Sequence, residues 1–438
     1  MRSHHAGVAT ALSTVLPGSG QWVNGQWIKG LLLAIVSLSA YAYFGMALWP
    51  AIYGLVTLGD TPGRLESVNG TSVYVAGDHS INLLIQGLIV LLLFALYASI
   101  HIAAIRDAHR IARLRAQGEA APTFRETLGY LHDRRFPHLL LSVPFAGVLF
   151  LTIMPIIFMV LLAFTNYASP AHIPPANLVD WVGLETFMQL FQLRSWSQTF
   201  AGVLVWTLIW AFTATVTTYL LGLIVALVIS QQEIRLRGVW RTVIIIPYAI
   251  PQIISLLSMK MLFNGQFGPI NQFLAQFGLG GLPWLTDPMW AKVTVIVVNM
   301  WVGMPLSFML ISGMLSTISP ELYEAATVEG ASRFQRFRVI TLPLILFATA
   351  PILILQFAGN FNNFNVIYLL TEGGPVNGAY QFAGHTDLLI TWLYKLTLNN
   401  NVYNMASAIG ILIFIFIAGL SLWNYRRTAS FKDEEMIQ

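Results

Sequence analysis

Eight stretches of this chain are apolar for long enough to cross the ~30 Å hydrocarbon core of a bilayer at ~1.5 Å per helical residue. They lie near residues 30–57, 82–105, 139–166, 199–230, 242–263, 292–318, 344–371 and 403–424 and leave little sequence for any other kind of fold. Of the 438 residues 56% are apolar and only 10% charged, where soluble domains carry roughly a quarter. In hydrocarbon every backbone polar group must find its partner within the protein. The expected fold class is therefore an all-α polytopic membrane protein with about eight transmembrane helices.

Charge sets the expected orientation. With both termini in the cytoplasm, the inner segments hold Arg2, Lys29, seven arginines from Arg106 to Arg135, Arg235, Arg237, Arg241, Arg333, Arg336, Arg338, Arg426, Arg427 and Lys432, which is 18 of 23 basic residues. Arg64, Arg194, Lys260, Lys292 and Lys395 fall outside or near outer span ends. The positive-inside rule favours this arrangement and explains the basic pI without nucleic acid. The stretch PGSGQWVNGQWIKG lacks the organisation of a signal peptide and is expected to be a retained, turn-rich or interfacial approach to the first span. Residues 106–138 form the most charged segment and suggest a boundary between a two-span N-terminal unit, 1–138, and a six-span core, 139–438. A solvated linker and an anionic-lipid patch are both compatible with it.

Several chemistries have no residues to run on. There is no cysteine, no phosphate-cradling GxxxxGK[ST], no HExxH and no GxSxG, and the nine histidines lack metal-ligand spacing. No metal, cofactor or catalytic residue is expected, and the chain is not expected to be an enzyme. All 19 Asp and Glu residues lie in loops or at span ends, whereas ion-coupled carriers commonly keep a membrane carboxylate. A transporter built this way would draw its energy from elsewhere and carry a neutral, polar cargo.

Two places stand out. Between the sixth and seventh spans, Ser319, Pro320 and Glu321 start a short helix that Gly330 stops. Phe334, Phe337, Val339 and Ile340 continue as an apolar ridge expected to end at Leu342-Pro343. Such a helix suits either docking into a partner's groove or packing on its own protein. The second place is QFAGNFNNFN, residues 356–365, a heavy load of amides for a membrane segment. On one helix Gln356, Asn360 and Asn363 share a face, with Asn362 and Asn365 nearly opposite. One stripe could face an aqueous cavity while the other joins helices by hydrogen bonds, and packing alone would also account for both. Nearby, Pro247 and Pro251 interrupt a helix around Tyr248 and Gln252, which share a face. Asn299, Val302, Gly303 and Leu306 share another, with Pro305 as a kink. Amides and a phenol suit the hydroxyls of a sugar.

Glu324-Ala325-Ala326, Gly330, Ile340 and Leu342-Pro343 together resemble the EAA loop, spanning 319–343 here, of permease subunits from bacterial ABC importers. Glu329 stands where an aspartate is more usual. The resemblance implies that Glu324, Ala325, Ala326, Gly330, Leu342 and Pro343 belong to a seat in a separate cytoplasmic ATPase. FAGNFNNFNVIYLLTEGGP, HTDLLITWLYKL and NGQFGPIN narrow the resemblance to the maltose/maltodextrin type of sugar permease, from about residue 139 to the end. In that group the cavity residues correspond to Tyr248, Asn299, Val302, Gly303, Asn360 and Asn363. Gln252 and Gln356 stand where the best-known pattern has serines, and Leu306 where it has a tyrosine. The implied assembly is a heterodimer with a second permease subunit, two ATPase subunits and an extracellular solute-binding protein, importing an oligosaccharide across a bacterial plasma membrane. Another oligosaccharide, such as a galacto-oligosaccharide or cyclodextrin, and a stand-alone secondary carrier are the alternatives.

Overall fold

The computed structural model describes residues 2–68, 71–173, 177–231 and 233–425. The side chain of Arg2 and the whole of Arg426, Arg427 and Lys432, which contribute to the charge reading above, lie outside the described residues, as do residues 174–176 of the loop after the third span. The chain divides by packing into two compact units, Met1–Gly183 and Leu184–Gln438. The third span packs within the first of these units.

The first unit runs α1 (Arg2–Val15), α2 (Ser19–Val23), α3 (Trp27–Thr57), a hairpin of β1 (Arg64–Val68) and β2 (Thr71–Val75), α4 (Ser80–Ala116), α5 (Phe124–Asp133), α6 (Phe136–Val148) and α7 (Met154–Leu162). The antiparallel strands pair Arg64 with Val75 and Val68 with Thr71. The approach to the first span is more ordered than its Gly and Pro content suggests. Gln21 Nε2 donates to the Ala104 carbonyl and Asn24 Nδ2 to that of Ala108, both at 2.9 Å, so two buried amides tie α2 to α4. Lys29 pairs with Asp107 at 2.6 Å on the same seam. The basic segment after the second span is also mostly helical: α4 continues to Ala116, and α5 begins with a capping box in which Thr123 and Glu126 satisfy each other's backbone N–H.

The second unit comprises α8 (Glu185–Gln192), α9 (Arg194–Ser230), α10 (Arg237–Ala249), α11 (Gln252–Leu262), α12 (Pro269–Gln276), α13 (Pro288–Thr317), α14 (Pro320–Val328), α15 (Arg333–Arg336), α16 (Leu342–Phe361), α17 (Phe364–Thr371), α18 (Leu389–Tyr394) and α19 (Tyr403–Tyr425). Long α9 and α13 form its centre. They approach closely because small residues meet at the crossing: a Cβ on Gly222 would stand 2.6 Å from Cβ of Ser307, and one on Gly303 2.9 Å from Cγ2 of Thr218. The buried indoles of Trp206, Trp210 and Trp392 each donate to a backbone carbonyl, those of Thr386, Asn360 and Gln381. Such pairing removes the cost of an unsatisfied N–H in an apolar interior.

Six helices among the described residues are long and apolar enough to span a membrane, a seventh candidate is the bent pair α10–α11, and α19 supplies a shorter apolar helix. All eight expected spans therefore correspond to helices. Residues 149–153, 337–341 and 395–399 form π-turns, of which the first two precede Pro155 and Pro343 within continuous helix. At the second, the Leu342 N–H reaches back five residues to the Phe337 carbonyl. The wider turn lets the helix absorb a proline that cannot donate and whose ring would crowd the preceding turn. Leu342-Pro343 accordingly does not end the ridge begun at Phe334, contrary to the expectation from sequence; the helix carries on into α16.

Candidate functional site

Between α10 and α11 the chain bends by 91° at Ile250-Pro251. Pro251 disfavours helix at Ile250 and cannot donate a backbone hydrogen bond, while Pro247 sits inside α10 without breaking it. The bend opens a recess of about 440 Å³ lined by Pro247, Tyr248, Ala249, Ile250, Pro251 and Gln252, with Val302, Gly303 and Leu306 of α13 opposite. Tyr248 and Gln252 thus meet across a break rather than along one helical face. Tyr248 is 57% exposed and Leu306 49%. The lining offers a phenol, an amide, open backbone and apolar surface, and it contains no charged side chain. Asn365 Nδ2 donates to Gln252 Oε1 at 3.1 Å, which fixes the orientation of that amide.

The amide-rich segment does not lie on one helix. α16 ends at Phe361, and Asn363 is the N-cap of α17, accepting from the Val366 N–H at 3.3 Å. The single stripe of Gln356, Asn360 and Asn363 expected from helical spacing is therefore broken between its second and third members. Asparagine favours such breaks because its side chain competes for backbone N–H groups.

What replaces the stripe is a hydrogen-bonded chain of amides and hydroxyls. Asn363 Nδ2 donates to Asn299 Oδ1 at 3.2 Å and to Asn360 Oδ1 at 3.4 Å. Asn299 Nδ2 donates to Thr218 Oγ1 at 3.4 Å, and Asn360 Nδ2 to Thr215 Oγ1 at 2.9 Å. The chain starts and finishes on α9 and crosses α13, α16 and the cap of α17. Asn299 and Asn360 are buried, Asn363 and Gln356 half-buried, and none of the four lines the recess. Thr215 and Thr218 went unrecognised in the sequence because hydroxyls are common in apolar helices and give no periodic signal.

At the other end of the unit, α14 matches the helix expected from Ser319-Pro320 to Gly330. Ser319 precedes it, Glu329 follows, and Gly330 takes φ +80°, a left-handed conformation that suits glycine at a helix stop. Glu324, Ala325 and Gly330 are exposed, and Val328 is 90% exposed. Tyr323 and Thr341 share a hydroxyl hydrogen bond at 2.9 Å, and Arg336 donates to Thr327 Oγ1 at 2.7 Å, so the helix is clamped to the start of the following rod. A shallow recess of about 350 Å³ lies between Ala326, Gly330, Arg336 and Val339. Ile340 borders this recess, and Leu342 packs on the core around Tyr219 and Phe308.

Among the described residues one carboxylate is fully buried, that of Asp387 in the loop before α18. It accepts from the Gly384 N–H at 2.7 Å and from Thr391 Oγ1 at 2.8 Å, and it pairs with Lys395 at 2.6 Å. Burial pushes this carboxyl up from its ordinary value, and Lys395 pulls it back. Among the described residues, no group of His, Asp and Glu could hold a metal ion.

Residues 218–429 match the family described as binding-protein-dependent transport system inner membrane component. The chain is 38% identical over 432 residues to the galactooligosaccharides transport system permease protein GanP of Bacillus subtilis, covering 98% of this chain and 99% of that protein. It is 38% identical over 438 residues to the maltodextrin transport system permease protein MdxF of the same organism, with 97% of each covered. Among solved structures it resembles a bacterial ABC transporter involved in import of the acidic polysaccharide alginate, with a TM-score of 0.54, 24% identity, and 69% of this chain and 99% of that chain covered. The protein is a multi-pass membrane permease belonging to the family of binding-protein-dependent transport system inner membrane components. It is a membrane component of such a system and not an enzyme.

Proposed function

We propose that this chain is one of two permease subunits of an ATP-driven importer that carries a neutral oligosaccharide of maltodextrin type across a bacterial plasma membrane. The observation that carries the reading is an uncharged recess at a helix break, in the same unit as an exposed helix bearing Glu324. The maltodextrin permease names of relatives at 36–38% identity support the substrate class.

Tyr248, Gln252, Val302, Gly303 and Leu306 form the first sugar-contacting wall. Gln356, Asn360, Asn363 and Asn299 complete the path when the helices part. Residues 139–438 are the translocating core and 1–138 an N-terminal two-span unit, with both termini cytoplasmic. An extracellular solute-binding protein delivers the sugar, and the second permease subunit closes the path.

Two ATPase subunits act on Glu324, Ala325, Ala326 and Gly330. Because the π-turn carries the helix through Leu342-Pro343, residues 333–361 form a continuous rod of roughly 40 Å at ~1.5 Å per residue. Its far end is the amide cluster. A push on α14 is therefore delivered to the α16–α17 break, whose Asn365 is hydrogen-bonded to Gln252 of the recess.

A galacto-oligosaccharide is the second reading, favoured by the 38% identity to GanP. Uptake of labelled maltodextrins and galacto-oligosaccharides into vesicles carrying the complete complex and its binding protein distinguishes the two. Maltodextrin uptake should exceed the other at least tenfold, a difference of ~1.4 kcal/mol. Equal or reversed uptake overturns the maltodextrin assignment, and uptake by the purified chain alone overturns the importer reading.

A further inference from the structure

One recess in the first unit lies on the basic segment after α4 and includes none of the residues of the candidate site. It has a volume of about 870 Å³ between the end of α4, helix α5 and the start of α6. Its wall divides by chemistry. Ile100 and Ala103 of α4, Leu131 of α5 and Leu139 of α6 are apolar, while Arg106, Arg110, Arg135 and Lys29 bring four cations against the single carboxylate of Asp107. That carboxylate is already committed: Lys29 holds it at 2.6 Å and Arg110 touches it at 3.5 Å. Arg106 and Arg135 are both exposed.

Helix α5 adds an independent observation. Phe124, Leu128 and Leu131 recur at i, i+4 and i+7, and all three are exposed, so a ten-residue helix presents an apolar stripe beside a cationic recess. Such a helix sits at a membrane surface. Leu139 and Leu140, also exposed, continue the apolar surface into the third span.

We propose that this recess binds one anionic phospholipid, its phosphate held by Arg106 and Arg135 and the upper part of an acyl chain lying against Ile100, Ala103 and Leu139. A free phosphate would leave the apolar wall bare, and a zwitterionic headgroup would bring a cation against the arginines. Clusters of basic residues immediately beside a span are the expected recognition element for such lipids. The charges thereby do more than orient the chain.

The test uses the purified full-length chain in neutral detergent, titrated with phosphatidylglycerol, phosphatidylcholine or inorganic phosphate and read by native mass spectrometry. The wild type should retain phosphatidylglycerol in preference to phosphatidylcholine, and inorganic phosphate should not displace it. Removing two arginines, Arg106→Gln with Arg135→Gln, should weaken retention about thirtyfold, at the contribution expected for basic residues near an anionic surface. Replacing both by lysine should restore most of it. The control pair Arg113→Gln and Arg125→Gln makes the same change in net charge outside the recess and should leave retention within threefold. Equal loss in both pairs, no loss in the first pair, or displacement by inorganic phosphate would each overturn the proposal.

Discussion

Removing the side chain of Asn363 should test whether the amide chain holds the second unit together. The residue has three duties: its oxygen caps α17, and its nitrogen donates to Asn299 and to Asn360. An N-cap is worth about 1 kcal/mol, and interhelical side-chain hydrogen bonds in membrane proteins average about 0.6 kcal/mol each. Asn363→Ala should therefore destabilise the fold by about 2 kcal/mol. Asn363→Ser keeps an oxygen able to cap and loses only the two donated bonds, so it should cost about half as much. Unfolding of the purified chain by titration from mild detergent into dodecyl sulfate, followed by ellipticity, gives both values. A cycle with Asn299→Ala should show coupling near 0.6 kcal/mol, with about 1.7 as a ceiling. Equal costs for Ala and Ser, or a cost for Ala below about 0.5 kcal/mol, would refute the idea that the cap and the amide bonds act separately on stability.

Two further substitutions probe the packing. Asp387→Ala strands Lys395, only 17% exposed, without its counter-ion, and should cost about 3 kcal/mol or more in the same unfolding assay; replacing Lys395 by Met as well should recover part of the loss. Gly222→Val drives a side chain against Ser307 at the α9–α13 crossing and should cost on the order of 1–3 kcal/mol, whereas Gly238→Ala, with open space around its Cβ, should be nearly neutral.

Length and hydropathy alone locate the helices at all eight apolar stretches, six of them long enough to span a membrane and a seventh a bent pair among the described residues, because a helix pairs its own backbone groups in lipid. The limits of α14 were equally legible, since Ser319, Pro320 and Gly330 act through local backbone geometry. Pro251 marked the break at the recess for the same reason. Three features escaped. Helical spacing placed Gln356, Asn360 and Asn363 on one face, but caps compete with helix continuation and that competition is settled by partners such as Thr215, Thr218 and Asn299, far away in sequence. Leu342-Pro343 looked like a stop because a proline costs an α-helix a hydrogen bond, and a π-turn that spreads the cost has no periodic signature. The buried pair of Asp387 and Lys395 was hidden in a loop, although Asp387, Thr391 and Lys395 recur every four residues.

Sugar uptake and ATP hydrolysis measured together in vesicles carrying the complete complex test most directly whether α14 is the point where energy enters this chain. With Glu324→Arg, placed on an exposed surface and leaving the described hydrogen bonds of Tyr323 and Thr327 intact, uptake should fall at least tenfold while hydrolysis persists or the ATPase leaves the membrane. Uptake and hydrolysis both unchanged from wild type would contradict the account.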